Sequence, residues 1–208
     1  MNSKPPPPDD VAGLILAAGS GERLGGRYKA LLTHKGETLL ERVKRLAEPF
    51  CSQIITGLPK ELLANHDGIE GGATRIETVR RLLAETERPY VLILEAARPF
   101  ATAEQCSAVL AEAAVSGAAL FAHQTPVRDS LAIARDGALE TLLPRERIVQ
   151  LQTPRACRTD WLKDALKYGE ATHELILLQK AGYRTTLLPG STDNIKITYP
   201  EDLALLES

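Results

Sequence analysis

The chain has 208 residues, 44% hydrophobic and 25% charged, ordinary values for a globular protein with room for one domain and a sizeable core. A net charge of −2 provides no basic field for nucleic acid, and aromatics at 4% argue against stacking platforms for single strands. Any anionic ligand must therefore be held by a local cluster of cations.

Residues 1–10, MNSKPPPPDD, form a proline-rich polar lead expected to be extended and flexible. It lacks the apolar core of a signal peptide, and no later run reaches membrane-spanning length, so a cytoplasmic protein with no membrane partner is expected. Residues 11–208 read as a single domain. Val11 to Ala17 reads as a buried strand. It opens into the most informative stretch, Leu14 to Leu32, LILAAGSGERLGGRYKALL. Glycines here permit close backbone approach, exposed N–H groups suit phosphate, and Arg23, Arg27 and Lys29 offset its charge. The spacing fits neither G-x-G-x-x-G nor the Walker loop. On spacing alone, a glycine-rich turn with incidental cations remains open.

Thr38 to Ala47 has helical period, Gln53 to Thr56 reads as a strand, Arg75 to Leu83 as a helix, and Tyr90 to Leu94 as a second buried strand. Ala103 to Ser116 reads as a helix and Ala118 to His123 as a strand. Asp136-Gly137, between two short alternating runs in residues 130–143, signals a β-hairpin. Asp160 to Lys167 and Glu174 to Ala181 read as helices, Gly182 stopping the second. Thr185 to Leu188 and Asn194 to Thr198 read as strands, and Pro200 to Glu207 as a final helix. This alternation argues for an α/β domain around a largely parallel sheet, with one hairpin protruding as an arm at about residues 125–148. Ligands of such sheets bind beyond the carboxyl ends of the strands. Polar clusters follow strand candidates at Gly19–Lys29, Gly71–Thr78, Glu95–Arg98 and Thr125–Asp129. Cys51, Cys106 and Cys157 fall in no metal-ligand spacing and read as reduced thiols.

Six blocks occur in one order: LAAGSGERLG (16–25) followed by Lys29, GGATRIETV (71–79), EAARPF (95–100), PVRDSL (126–131), QTP (152–154), and NIKIT with PEDL (194–203). Together they resemble the 2-C-methyl-D-erythritol 4-phosphate cytidylyltransferase family. The resemblance implies a Rossmann-like nucleotidyltransferase fold. The implied reaction transfers CMP from CTP to methylerythritol phosphate with release of pyrophosphate, assisted by Mg²⁺. It assigns Arg23, Lys29, Arg145 and Lys196 to catalysis and substrate phosphate. Ala17, Ala18, Gly19, Gly21 and Ala96 would line the nucleotide, and Gly72, Arg75 and Thr78 the cytosine. Arg98 would lie beside them, Thr153 and Thr172 near the acceptor, and Glu95 on the metal. It also implies a homodimer joined through the hairpin arm, with Arg145 serving the neighbouring site.

The residue types suit that chemistry. A phosphate nucleophile is already largely an anion at pH 7, so no base is required. The difficulty is bringing two polyanions together, since like charges 4 Å apart cost roughly 4 kcal/mol in a medium of effective dielectric 20. Read alone, Arg145-Glu146-Arg147 is equally a solvated charge run, Lys196 a snorkelling strand residue, and Thr153-Pro154 a plain turn. The chain departs from the family pattern at Leu94-Glu95 (His-Asp), Tyr28 (proline), Ala73 (a carboxylate) and His173 (aspartate). These departures keep two alternatives open: a cytidylyltransferase for another polyol phosphate or phosphonate, and a nucleotide-binding paralogue of low activity.

Overall fold

A computed structural model describes residues 4–115, 120–126 and 128–207, with 120–126 described by backbone alone. In chain order the elements are β1 (Val11–Leu16), a small hairpin of β2 (Thr33–His34) and β3 (Glu37–Thr38), α1 (Leu39–Ala47), β4 (Gln53–Leu58), β5 (Ile69–Glu70), α2 (Arg75–Ala84) and β6 (Tyr90–Glu95). There follow α3 (Ala103–Val115), β7 (Leu120–Pro126), β8 (Leu131–Arg135), β9 (Ala138–Leu143), β10 (Val149–Arg158), α4 (Thr159–Ala165), α5 (Glu174–Lys180) and β11 (Thr185–Pro189). Parts of the expectations for residues 116–119 and for Val127 lie outside the described residues.

Seven strands form one sheet in the order β11-β7-β10-β6-β1-β4-β5. β1 pairs in parallel with both β4 and β6, whereas β10 runs antiparallel between β6 and β7. The central strands are apolar throughout because both faces are covered. Val11 and Ile15 of β1 and Leu92 and Leu94 of β6 join a core with residues of α1 and α3. Ala12, Leu14, Val91 and Ile93 point the other way, into a core with residues of α2, α4 and α5.

Local signals set the helix starts. Thr38 and Glu41 form a capping box at α1, and the Thr74 hydroxyl accepts from Glu77 N at 3.1 Å at α2. Gly182, at φ 83°, follows α5 as a stop. The arm is present: among the described residues β8 and β9 pair only with each other, around Asp136 (φ 51°) and Gly137 (φ 80°), the positive values that a tight hairpin turn needs. Its apolar side chains Ile133, Leu139 and Leu142 are exposed.

Several expectations change. The longest strand, β10, is absent from the sequence reading, because Pro154 and charged Arg155 and Arg158 interrupt its pattern. Residues 152–154, open to reading as a plain turn, lie within it, where its register against β7 shifts between Leu151 and Arg155. Asn194 to Thr198 is not a strand. It is an unpaired strap, pinned by the Ile197 N–H to Ala97 O at 2.8 Å and by the buried Asn194 amide to Thr153 O at 2.7 Å. The C-terminal helix is a 3₁₀ run, Pro200–Leu206, and α4 ends at Ala165, followed by the 3₁₀ turn Leu166–Tyr168. The lead is tied down at its end, where Pro8–Asp10 form a 3₁₀ turn and Pro8 O accepts from Ser52 N at 3.0 Å.

Candidate active site

From β1 the chain moves to one side of the sheet, to β4 and β5, and then returns to the other side as β6. The loops leaving β1 and β6 therefore diverge and leave a crevice at their carboxyl ends. Leu16 and Glu95 are register partners, and the Ala96 N–H donates to Leu16 O at 3.1 Å. The crevice is a cleft of about 370 Å³. Its walls bring together Ala17, Ala18, Gly19, Gly21, Arg23, Lys29, Gly72, Arg75, Thr78, Glu95, Ala96 and Lys196, twelve of the residues assigned from the resemblance.

The glycine loop curls on itself. Gly21 has φ 69°, and its carbonyl accepts from Leu24 N at 2.7 Å and Gly26 N at 3.1 Å. A Cβ at Gly21 would lie 1.8 Å from Arg27 O. Buried Leu24 anchors the loop to Leu39 and Ile197, and the Tyr28 hydroxyl donates to Glu61 at 3.3 Å. The loop thus presents Arg23 and Lys29 together. Arg23 lies 5.3 Å over the Tyr199 ring, a cation–π distance. Lys29 is held below the usual lysine pKa, first by burial and then by Arg23 and Lys196.

The second wall is the turn into α2. A Cβ at Gly71 would fall 2.2 Å from the Ala18 Cβ, so glycine lets this turn approach the loop. The Thr78 hydroxyl donates to Thr74 O and accepts from Gly72 N, both at 3.0 Å. Glu77 accepts from Ala73 N at 2.8 Å, and Arg81 donates to Gly71 O at 3.1 Å. Glu77 and Arg81, which sequence reasoning passed over, brace the turn that Thr78 closes.

The floor is a buried charge cluster. Glu95 Oε1 accepts from Arg75 Nη1, while Oε2 lies 3.0 Å from Lys196 Nζ and 3.5 Å from Arg98 Nε. Arg75 Nε and Nη2 donate to Glu174 Oε2 and Oε1 at 2.8 and 3.0 Å. Glu174 Oε1 also accepts from Arg155 Nη1 at 3.1 Å. Four cations thus surround two carboxylates. Burial pushes the carboxylates toward neutrality. For Glu95 this is outweighed by Arg75, Lys196 and Arg98, and for Glu174 by Arg75, His173 and Arg155, so both stay ionised below the usual range.

The remaining assigned residues lie apart. Arg98 lines a second cleft of about 490 Å³, which shares Lys196 with the first and includes Arg128, Gln152 and Asn194. Thr153 is buried beside it, with no hydrogen-bond partner for its hydroxyl among the described residues. Arg145 sits at the base of the arm, donating to Arg128 O at 3.0 Å, and Thr172 is exposed before α5; neither lines either cleft. Arg155 and Glu174 were missed. Arg155 directly follows the QTP block and Glu174 lies two residues after Thr172, and only their burial and pairing mark them.

A divalent cation would be expected on Glu95. Both oxygens of Glu95 are already held by cations, and no group of three His, Cys, Asp or Glu among the described residues could cage a metal. Direct ligation would have to displace Lys196, so the residues as arranged do not fit a resident metal.

Fold and cleft together define a Rossmann-like nucleotidyltransferase. The profile of the IspD family, 2-C-methyl-D-erythritol 4-phosphate cytidylyltransferase, matches residues 11–208, and the chain belongs to that family. The Deinococcus radiodurans protein of that name is 40% identical over 207 residues, 95% of this chain and 88% of the relative. A Thermus thermophilus relative is 37% identical over 96% of each chain. The crystal structure of a Thermus thermophilus family member superposes with a TM-score of 0.80 at 33% identity, covering 95% of this chain and 97% of that one.

The His173 ring lies between Arg155 and Glu174, and burial, followed by the two arginines, brings its pKa from 6.5 down to about 4. The unfolded ring takes up a proton as pH falls through 6.5, while the folded ring does not until about 4. Folding stability is therefore lost on acidification across that window. The depressed carboxylates add stability that is present above the ordinary carboxylate range and lost as pH falls below it. Thermal unfolding midpoints should fall between pH 6.5 and 5 in the parent protein and stay flat over that range in His173→Asn; parallel curves would remove His173 from the account.

Proposed function

We propose that this chain transfers a cytidylyl group from CTP to 2-C-methyl-D-erythritol 4-phosphate, in the cytoplasm and as a homodimer. The observation that carries this reading is the cationic cleft at the sheet's switch point, shared through Lys196 with a second cationic cleft. The reaction needs two adjoining polyanion sites, and this geometry supplies them.

In the proposed reaction an acceptor phosphate oxygen forms a bond to the α-phosphorus of CTP. The bond from that phosphorus to the bridging oxygen breaks, and pyrophosphate leaves with the electron pair. The nucleophile needs no base because it is already ionised. Arg23 and Lys29 carry the triphosphate charge, which grows on the leaving group, while Ala17, Ala18, Gly19, Gly21, Gly72 and Ala96 give the nucleotide close backbone approach. Arg98 and Lys196 meet the acceptor phosphate, with Thr153 and Thr172 near its polyol. Positioning and electrostatic stabilisation carry the rate. Because Glu95 is engaged by cations, Mg²⁺ would arrive with CTP, as part of the substrate.

The arm supports the dimer. Leu139 and Leu142 are 66% and 64% exposed on a hairpin that pairs with no other strand among the described residues, apolar area that a second copy would cover. Arg145 at its base would then reach the partner's acceptor site.

The protein should release pyrophosphate from CTP, Mg²⁺ and methylerythritol phosphate faster than with other polyol phosphates or phosphonates. Release with none of them, CTP still binding, would favour a paralogue of low activity. With Lys29→Ala, kcat should fall about 10²- to 10³-fold, the usual cost of one transition-state donor; a change confined to KM would count against that role. Replacing Leu139 and Leu142 by Asp should shift sedimentation from dimer to monomer; a parent protein that sediments as a monomer refutes the arm's role.

A further inference from the structure

We propose that Glu174 is a positioning residue of the acceptor-phosphate side, acting through Arg75. Glu174 lines neither cleft and its side chain is fully buried, yet it bonds the Nε and Nη2 edge of Arg75 with two hydrogen bonds. Arg75 itself lines the nucleotide cleft. An unrestrained guanidinium there would grip phosphate in bidentate fashion. Glu174 occupies one of the two edges that such a grip can use, and Glu95 Oε1 takes Nη1 on the other. Glu95 is thereby fixed with Oε2 turned to Lys196 and Arg98, the two cations on the border of the second cleft. Arg155, 3% exposed, donates to the same Glu174 oxygen and, through Nε, to Gln152 O at 3.0 Å. That contact ties the relay to the segment lining the acceptor cleft. A buried ion pair is weak evidence for stability; here the pair holds one arginine in one orientation.

The role rests on the cytidylyl-transfer reading and predicts a split between the two substrates. Glu174→Gln keeps the volume and removes the charge. In the folded variant the KM for methylerythritol phosphate should rise and kcat fall, each about tenfold or more, as expected for misplaced reacting groups. Arg23 and Lys29 make no hydrogen bond to this relay, so CTP affinity measured by calorimetry should change clearly less than the acceptor KM does. Glu174→Asp keeps the charge but is one methylene shorter and cannot hold both the Nε and Nη2 of Arg75 as now placed; it should show the same split and serves if Glu174→Gln does not fold. Equal weakening of both substrates, or unchanged acceptor kinetics in either folded variant, overturns the positioning role. A parent protein that releases no pyrophosphate when given CTP and methylerythritol phosphate together defeats the cytidylyl-transfer reading instead.

Discussion

A site for two polyanions has to concentrate positive charge without driving itself apart. Here Glu95 and Glu174 solve that problem from below the cleft. Arg75, Arg98, Arg155 and Lys196 converge within hydrogen-bonding or ion-pairing distance of these two carboxylates. Four positive charges against two negative ones leave an excess of two beneath the junction of the clefts. Without the carboxylates, four buried or half-buried cations would repel one another at distances where each pair costs several kcal/mol. With them, the excess remains but its members are fixed.

The fold makes this convergence possible. Parallel pairing of β1 with β6 sets Leu16 beside Glu95, so the glycine loop and the carboxylate leave the sheet at one point. The strap at 194–198 crosses that point and delivers Lys196, held by backbone contacts to Ala97 and by Asn194 to β10. Antiparallel β10 brings Arg155 alongside β6, pairing with Ile93. Each cation of the cluster comes from a different segment, and only the tertiary fold unites them.

This explains what was legible in the sequence. β1, α1, α2 and β6 were readable because their apolar periods are clean and their caps, such as Thr38 with Glu41, are local. The glycine loop was readable because positive φ at Gly21, Gly25 and Gly26 leaves a compositional mark. β10 was not, since its inward Arg155 has the look of a surface residue until Glu174, 19 positions later, is placed against it. The strap at 194–198 has the composition of a strand, yet its neighbours offer it single hydrogen bonds rather than a ladder. Glu95 was legible as an important carboxylate but not in its partners. Arg75 and Lys196 lie 20 and 101 residues away along the chain, and no local pattern encodes that meeting.

Glutamate rather than aspartate at position 95 fits the same logic. The extra methylene lets a carboxylate rooted at the end of β6 reach Arg75 on α2 with one oxygen and Lys196 on the strap with the other. A shorter side chain from the same Cα would have to give up one of these partners or draw the strap inward, and the strap is pinned at Ile197, which is fully buried. The loop cations differ in kind. Arg23 is exposed and leans on a half-exposed Tyr199 ring, so it can move to follow charge as a bond breaks. The proposed division of labour follows from this contrast: adjustable cations where charge develops on the leaving group, and immobilised ones where an acceptor phosphate has to be aimed.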